Sequence, residues 1–199
     1  ARGNEQIYNN ATENNKIIYI NLYAGAIPAG AGKSHQSLRD ISLLSSIPNF
    51  RIFQPYNSIE TYQILKHCLG KNEKNNCAIR LSIGLMPDLC PKLPINFKFE
   101  CGQGTQLIKG KDAIIFVYGQ TMICEAFKAS LILKKKRIHL EIINMSSLNY
   151  FKKLWLRKKI KNFKHIFFLD DHNSSGGMSD LLIAFLTENQ LIEKKFLKK

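Results

Sequence analysis

One glycine-rich segment, GAGKSHQ at residues 30–36, brings together the residue types best suited to chemistry. It contains His35, whose imidazole can donate or accept a proton near neutral pH because its ordinary pKa is ~6.5. Glycine lets the backbone approach a ligand closely, and the free N–H groups at the start of a helix favour an anion. An apolar run at residues 17–20 precedes the segment, and apolar side chains at helical spacing follow it. The pattern therefore predicts a strand, a ligand-binding loop and a helix around His35.

A phosphate-binding P-loop is one interpretation of this segment, because GKS at residues 32–34 matches the end of that motif. The motif also needs a glycine where this chain has Ile27, and Pro28 removes an N–H group that a phosphate cradle would use. Residues 166–170 imitate the strand and aspartate that hold magnesium in such enzymes. A nucleotide hydrolase that depends on Lys33 therefore stays open as an alternative.

Arg80 lies inside an apolar run at residues 77–83, which predicts a buried strand. An unpaired arginine in a sheet is costly, so Arg80 needs an acidic or polar partner. The residues alone predict a structural ion pair there.

Three residues of metal-ligating types are adjacent at Asp170, Asp171 and His172. Metal binding usually needs a further convergent ligand, and the sequence identifies none. We therefore predict no metal site from these residues.

Alternating strand and helix patterns predict the α/β class, with parallel sheets and crossover helices. The predicted strands are residues 17–22, 50–54, 77–83, 113–118, 138–143 and 166–169. The predicted helices are residues 2–14, 57–70, 121–133, 148–160 and 178–189, together with one from the glycine-rich loop to about Ser46. Between the two halves, the prolines and glycines of residues 87–109 predict a linker with a short extended piece at residues 97–99. The tail from Glu193 predicts an edge strand.

The 199 residues carry 29 Lys and Arg against 15 Asp and Glu, a formal net charge of +14. Basic clusters at residues 134–137 and 157–164 make a nucleic-acid-binding module a second alternative. Neither cluster is interleaved with aromatic residues, which favours the interpretation that the positive charge comes from lysine-rich, solvated surfaces. An acidic partner or phosphorylated substrates are further explanations of the positive charge.

Five cysteines without C-x-x-C spacing predict reduced thiols, as in a cytoplasmic protein. No apolar run approaches the ~20 residues that a membrane helix needs. The chain begins at Ala1 rather than Met, which suggests a fragment or a processed piece.

Ordered motifs in both halves resemble the transketolase family. In the first half these are GxGxSHQ at residues 30–36, Asp40 and IPN at residues 47–49, similar to the pyrimidine-domain signature of transketolases and deoxyxylulose-phosphate synthases. In the second half they are KDA at 111–113, YG at 118–119, NMxSLN at 144–149 and DDHN with GGM at 170–178. The beta subunit of pyruvate dehydrogenase is a relative with similar domains.

The resemblance implies three parts. Residues 1–86 would be the C-terminal part of a pyrimidine-binding domain, which binds thiamine diphosphate and has a parallel sheet. Residues 87–109 would be the linker, and residues 110–199 a transketolase C-terminal α/β domain.

The resemblance also implies roles for single residues. His35 would be catalytic, over the thiazolium ring and beside the substrate, while Ser34 and Gln36 would orient the loop and contact the substrate. Arg80 would lie near the substrate phosphate, as the alternative to a structural ion pair. Ala31 departs from the family, which often has an acidic residue there for a donor-sugar hydroxyl, and this puts ordinary ketose specificity in doubt.

The implied activity is transfer of a ketol unit between sugars or sugar phosphates, with thiamine diphosphate and Mg²⁺ as cofactors. The expected substrate is a phosphorylated or nucleotide-linked sugar. The family's Gly-Asp-Gly triplet for the cofactor metal is absent from the sequence. The resemblance therefore implies that another domain or chain supplies the diphosphate and metal site, in a homodimer or heterodimer. The isolated chain is expected to be inactive, cytoplasmic and part of carbohydrate metabolism.

Overall fold

Strands and helices alternate along the chain. The computed structural model describes residues 2–13, 15–26, 32, 35–84, 87 and 89–192. Within these residues the first half consists of α1 (Arg2–Thr12), β1 (Ile18–Leu22), α2 (Asp40–Ser45), β2 (Phe50–Phe53), α3 (Ser58–Leu69) and β3 (Asn76–Leu81). The second half consists of β4 (Thr105–Ile108), β5 (Ala113–Val117), α4 (Gln120–Lys135), β6 (Leu140–Asn144), α5 (Lys153–Ile160), β7 (Ile166–Leu169) and α6 (Met178–Glu188). The predicted tail strand from Glu193 lies outside the described residues.

The first sheet is parallel, in the order β1-β3-β2. Its central strand β3 is almost entirely buried, which agrees with the apolar run that predicted it. Helix α3 begins where the sequence predicts, because Asn57 caps it by accepting a hydrogen bond from the Glu60 N–H at 2.9 Å. The predicted α/β class is confirmed.

The second sheet has the order β4-β6-β5-β7, with β5, β6 and β7 parallel and β4 antiparallel to β6. Strand β4 falls inside the segment predicted as a linker. Its four residues are all only partly buried and glycines flank them, so neither an apolar run nor an alternation marks them in the sequence. The second sheet therefore begins before residue 110.

Residues 97–99 of the linker are held by a helix rather than by a strand. The Gln63 side chain on α3 accepts from the Phe99 N–H at 2.6 Å and donates to the Phe97 carbonyl at 3.0 Å. The extended piece thus has its backbone satisfied by one amide side chain.

The two halves are joined along the free edge of β2, which residues 146–149 cover. The Leu148 N–H donates to the Ile52 carbonyl at 2.9 Å, and the Asn149 side chain accepts from the Ile52 N–H at 3.0 Å. Because these residues pair with β2, helix α5 begins at Lys153 instead of near residue 148.

One apolar core passes through both halves. From the first half it includes Ile41, Leu44, Phe50 and Ile52, and from the second half Ile114, Phe116, Ile143 and Leu148. Among the described residues, every helix is too short or too polar to cross a lipid bilayer.

The expectation that all five cysteines are reduced is wrong for one pair. Cys90 of the linker and Cys124 of α4 form a disulfide, with Cα atoms 4.8 Å apart. They are 34 residues apart, so only the packing of the linker over α4 brings them together. Cys68, Cys77 and Cys101 are free thiols.

A buried carboxyl group lies between the halves. Glu60 on α3 accepts hydrogen bonds from the Tyr56 N–H at 2.9 Å and from the Asn144 side chain of β6 at 2.9 and 3.0 Å. Burial raises the pKa of Glu60 to about 7, although these hydrogen bonds oppose the shift. The Asn144 Oδ1 atom is buried and accepts no hydrogen bond. A rotated Asn144 amide would let this oxygen accept a hydrogen bond from the O–H group of neutral Glu60.

Replacing Glu60 by Gln should remove a pH dependence of stability. A carboxyl pKa raised from about 4.5 to about 7 lowers the free energy of unfolding as pH rises through this window, by about 3 kcal/mol in total. The Glu60→Gln variant does not lose stability in this way, because its amide cannot ionise, and the amide can still form hydrogen bonds as the neutral carboxyl group does. Urea denaturation from about pH 5 to about pH 8 should therefore show the variant gaining stability relative to the parent. A constant difference between the two proteins would contradict the raised pKa.

Candidate active site

His35 lies between β1 and α2, beyond the carboxyl end of the first sheet. Ala24 extends β1 by donating its N–H to the Leu81 carbonyl at 3.1 Å, and Ser37 returns to pair beside it. The His35 side chain is exposed, and its ring meets the Tyr23 ring edge-on with centroids 5.5 Å apart. Parallel sheets bind ligands beyond the carboxyl ends of their strands, so the imidazole stands where a ligand can reach it.

The stems of the His35 loop are held by side chains from both halves of the chain. Gln36 donates to the Ala26 carbonyl at 3.2 Å, within the loop itself. The Ala26 N–H donates to the carboxylate of Asp171 at 2.9 Å. Burial raises the pKa of Asp171, and the Ala26 N–H and the Arg80 charge oppose this shift. The second half thus fixes one stem of the loop that carries the imidazole.

Arg80 on β3 is completely buried, and its guanidinium is surrounded by protein acceptors. Its Nε and one terminal nitrogen donate to the two Asp40 oxygens at 2.7 and 3.0 Å. The same terminal nitrogen donates to the Ser37 carbonyl at 3.2 Å, and the other donates to the Gln54 side chain. This geometry is the structural ion pair that a buried arginine needs, and it also anchors the second stem of the His35 loop.

The charge balance around Arg80 favours the ionised pair. Burial alone would lower the pKa of Arg80, but the charge and hydrogen bonds of Asp40 raise it overall. The Tyr118 ring lies 5.9 Å from the guanidinium carbon. Its hydroxyl donates to Asp170, and burial followed by the Asp170 charge raises the pKa of Tyr118.

Residues 170–178 form an interface loop rather than a metal cluster. Asp170 accepts from the Ser179 N–H at 2.8 Å at the start of α6, while Asp171 faces Ala26. The Asn173 N–H donates to the Leu38 carbonyl at 3.0 Å. The two carboxylates therefore point to separate partners, one at the start of α6 and one in the first half.

Two glycines fit this interface because a side chain would not. A Cβ atom at Gly25, where φ is +84°, would lie 1.8 Å from an Asp171 oxygen. A Cβ atom at Gly119, where φ is +74°, would lie 2.5 Å from the Gln54 side chain. Both positions need the left-handed backbone and the missing side chain of glycine.

Several residues of the site escaped the sequence analysis. Asp40 pairs with Arg80, and the sequence analysis did not identify it as the partner that Arg80 needs. Gln54 and Tyr118 are each the last residue of a predicted strand and directly follow the observed strands β2 and β5, and a polar group at that position was the available signal. Residues 27–31, 33 and 34, which include the predicted substrate contact Ser34, lie outside the described residues.

The fold and the site define an α/β protein in which residues of the second half hold both stems of the His35 loop, through Asp171 to Ala26 and Asn173 to Leu38. Residues 2–87 match the pyrimidine-binding domain of transketolase, and residues 102–196 match the transketolase C-terminal domain. The chain belongs to the transketolase family, whose members are thiamine diphosphate-dependent transferases.

Two curated relatives show where the similarity lies. The chain is 26% identical over 190 residues to a subunit of the apulose-4-phosphate transketolase of Phocaeicola vulgatus, covering 95% of this chain and 59% of the relative. It is 26% identical over 182 residues to human transketolase, covering 90% of this chain and 28% of the relative. The chain thus spans less than two thirds of these relatives.

A solved structure of a split-gene transketolase, an inactive β4 tetramer, superposes with a TM-score of 0.72 and 25% identity. The superposition covers 86% of this chain and 53% of that chain. Family membership leaves the P-loop and nucleic-acid alternatives without support. The basic clusters lie at the C-terminal ends of α4 and α5, where positive charge complements the helix dipole.

Removing the Arg80 side chain should destabilise the fold strongly. Arg80→Ala leaves Asp40 partly buried without its partner, which should lower the free energy of unfolding by about 3–5 kcal/mol. The matched control is Lys128→Ala, because Lys128 and Glu125 also form an ion pair at 2.7 Å, but an exposed one. The control should cost less than ~1 kcal/mol. Similar losses of unfolding free energy in urea denaturation for both variants would show that the buried Arg80 pair stabilises the fold no more than an exposed pair does.

Adding one methyl group at Gly25 should disturb the clamp on the His35 loop. Gly25→Ala places a Cβ atom against Asp171 and strains a left-handed backbone, so we expect a loss of about 1–3 kcal/mol. Gly3→Ala in α1 meets no atom within 4 Å and should be neutral or stabilising by up to about 1 kcal/mol. Thermal denaturation of both variants measures the contrast. Equal melting temperatures would argue against close packing at Gly25.

Proposed function

We propose that this chain is the pyrimidine-binding and C-terminal part of an enzyme that transfers a ketol unit between sugars or sugar phosphates with thiamine diphosphate. The observation that carries the proposal is the exposed His35 imidazole at the carboxyl end of a parallel sheet, in a chain that matches both domains. Beside the thiazolium ring, this imidazole would donate or accept the protons of substrate hydroxyl groups.

The residues around His35 fit the reacting end of thiamine diphosphate. When bound, the cofactor supplies the nucleophilic carbon that accepts the ketol unit. Tyr23 and His35 offer an aromatic edge and a titratable ring on an accessible surface. The hydrogen bonds of Gln36 and Asp171 to Ala26 hold the residues on the two sides of the loop close together, which would help to position the imidazole before the substrate binds.

Substrate binding in this proposal involves Ser34, Gln36 and Arg80. Arg80 is enclosed by Asp40, Gln54 and the Ser37 carbonyl, so direct contact with a substrate phosphate requires one of these partners to move. Without that movement Arg80 acts by holding the stem of the His35 loop.

A partner would supply the diphosphate and Mg²⁺ site, as a second polypeptide or as an N-terminal domain. The similarity to one subunit of the apulose-4-phosphate enzyme and to the β chain of a split-gene transketolase supports this arrangement. We therefore propose that the chain works in a homodimer or heterodimer in carbohydrate metabolism and is inactive alone. We also propose a cytoplasmic location.

Replacing His35 by Ala should abolish most activity without affecting assembly. The chain is co-expressed with a chain that carries the thiamine diphosphate domain, and ketol transfer is assayed from ketose phosphates to aldose phosphates. Loss of a general acid–base group should lower kcat by about 10²–10⁴-fold. His165→Ala, in the exposed turn before β7, is the matched histidine control and should keep the parent rate. Full activity of His35→Ala would contradict the assignment of His35, and activity of the isolated parent chain would contradict the need for a partner.

A further inference from the structure

A second cluster of reactive side chains lies at the far end of α3, away from the His35 loop. His67 near the C-terminus of α3, Glu73 in the following turn and Cys101 at the end of the linker each point one ligand atom to the same place. These three atoms all lie within 4.8 Å of one another, and the His67 Nε2 and Glu73 Oε2 atoms are 3.0 Å apart.

The Glu73 carboxylate is oriented by its neighbours. Its Oε1 atom accepts hydrogen bonds from the Asn75 backbone N–H at 2.8 Å and from the Asn75 side chain at 2.6 Å. This leaves Oε2 facing His67. Hydrogen bonds of this kind hold metal-binding carboxylates in place in many metalloproteins.

The His67 ring is oriented by aromatic packing. Its centroid lies 5.9 Å from that of Phe53 and 5.3 Å from that of Phe99, and both contacts are edge-on. The side chain is 30% exposed, whereas the Glu73 side chain is only 7% exposed. An ion could therefore enter from solvent past His67 and reach a shielded carboxylate.

The donor set indicates which ion would bind. One imidazole nitrogen, one carboxylate oxygen and one thiolate sulfur suit the borderline character of Zn²⁺, whereas Mg²⁺ and Ca²⁺ prefer oxygen ligands alone. Tetrahedral zinc with bonds of about 2.0–2.3 Å places its ligand atoms about 3.3–3.8 Å apart. The cluster therefore needs to close by only about 1 Å, which side-chain rotation can supply.

We propose that His67, Glu73 and Cys101 bind one Zn²⁺ ion, with water in the fourth position. The ion would tie the end of the linker to helix α3 and to the turn before β3. It would stabilise the junction between the two halves rather than take part in ketol transfer.

Metal binding tests the proposal directly. The full chain is stripped with a chelator, kept reduced, and titrated with Zn²⁺ against a chromophoric competitor and with Co²⁺ in the spectrophotometer. We expect one ion per chain, a thiolate-to-cobalt charge-transfer band and a higher melting temperature with Zn²⁺. Cys101→Ser should lose the band, and its zinc affinity should fall by at least the ~10–100-fold that loss of a supporting residue costs.

Matched controls separate this cluster from other histidines and thiols. His139→Ala removes a histidine that also pairs with a carboxylate, Asp112 at 3.2 Å, and should leave zinc binding unchanged. The double variant Cys90→Ser/Cys124→Ser removes the thiols released by the reductant and should keep the band. Glu73→Gln should weaken binding as Cys101→Ser does. Absence of stoichiometric zinc binding by the parent, or equal affinity in Cys101→Ser, would overturn the proposal.

Discussion

The buried ion pair between Arg80 and Asp40 is the interaction on which the rest of the structure depends. It joins the central strand of the first sheet to the helix that follows the His35 loop, and it places a full positive charge where no water can solvate it. Such a charge is tolerable only when its donors are matched by acceptors. The remaining donors of the guanidinium are matched by the Gln54 side chain and the Ser37 carbonyl, and the Tyr118 ring lies beside it. Because these groups come from a strand, a loop and the second half, all of these parts must assemble together around Arg80.

This constraint explains why the second half contributes to a site that the first half carries. The Tyr118 hydroxyl donates a hydrogen bond to Asp170, and the neighbouring Asp171 accepts one from the Ala26 N–H at the start of the His35 loop. The loop that enters α6 therefore acts as a clamp on the candidate active site. Positioning of the imidazole depends on domain docking as much as on the local sequence.

Much of this fold could be predicted from the sequence, because the buried strands are continuous apolar runs and α3 has a clear capping pattern. Strand β4 could not, since it is short, partly buried and defined only by pairing with β6. The exposed histidine of the loop was recognisable by its motif. The partners of Arg80 were not, because Asp40 and Gln54 come close to it only after the sheet and the helix pack.

The coverage of β2 by residues 146–149 has a consequence for how such a gene can be divided. These residues occupy the hydrogen-bonding groups of a strand that would otherwise be an open sheet edge. A coding break between residues 84 and 105 would release two polypeptides, one with an unpaired strand edge and one with an exposed apolar segment. A division of the chain between its two halves would therefore destabilise both products, because each half covers apolar or hydrogen-bonding surface of the other.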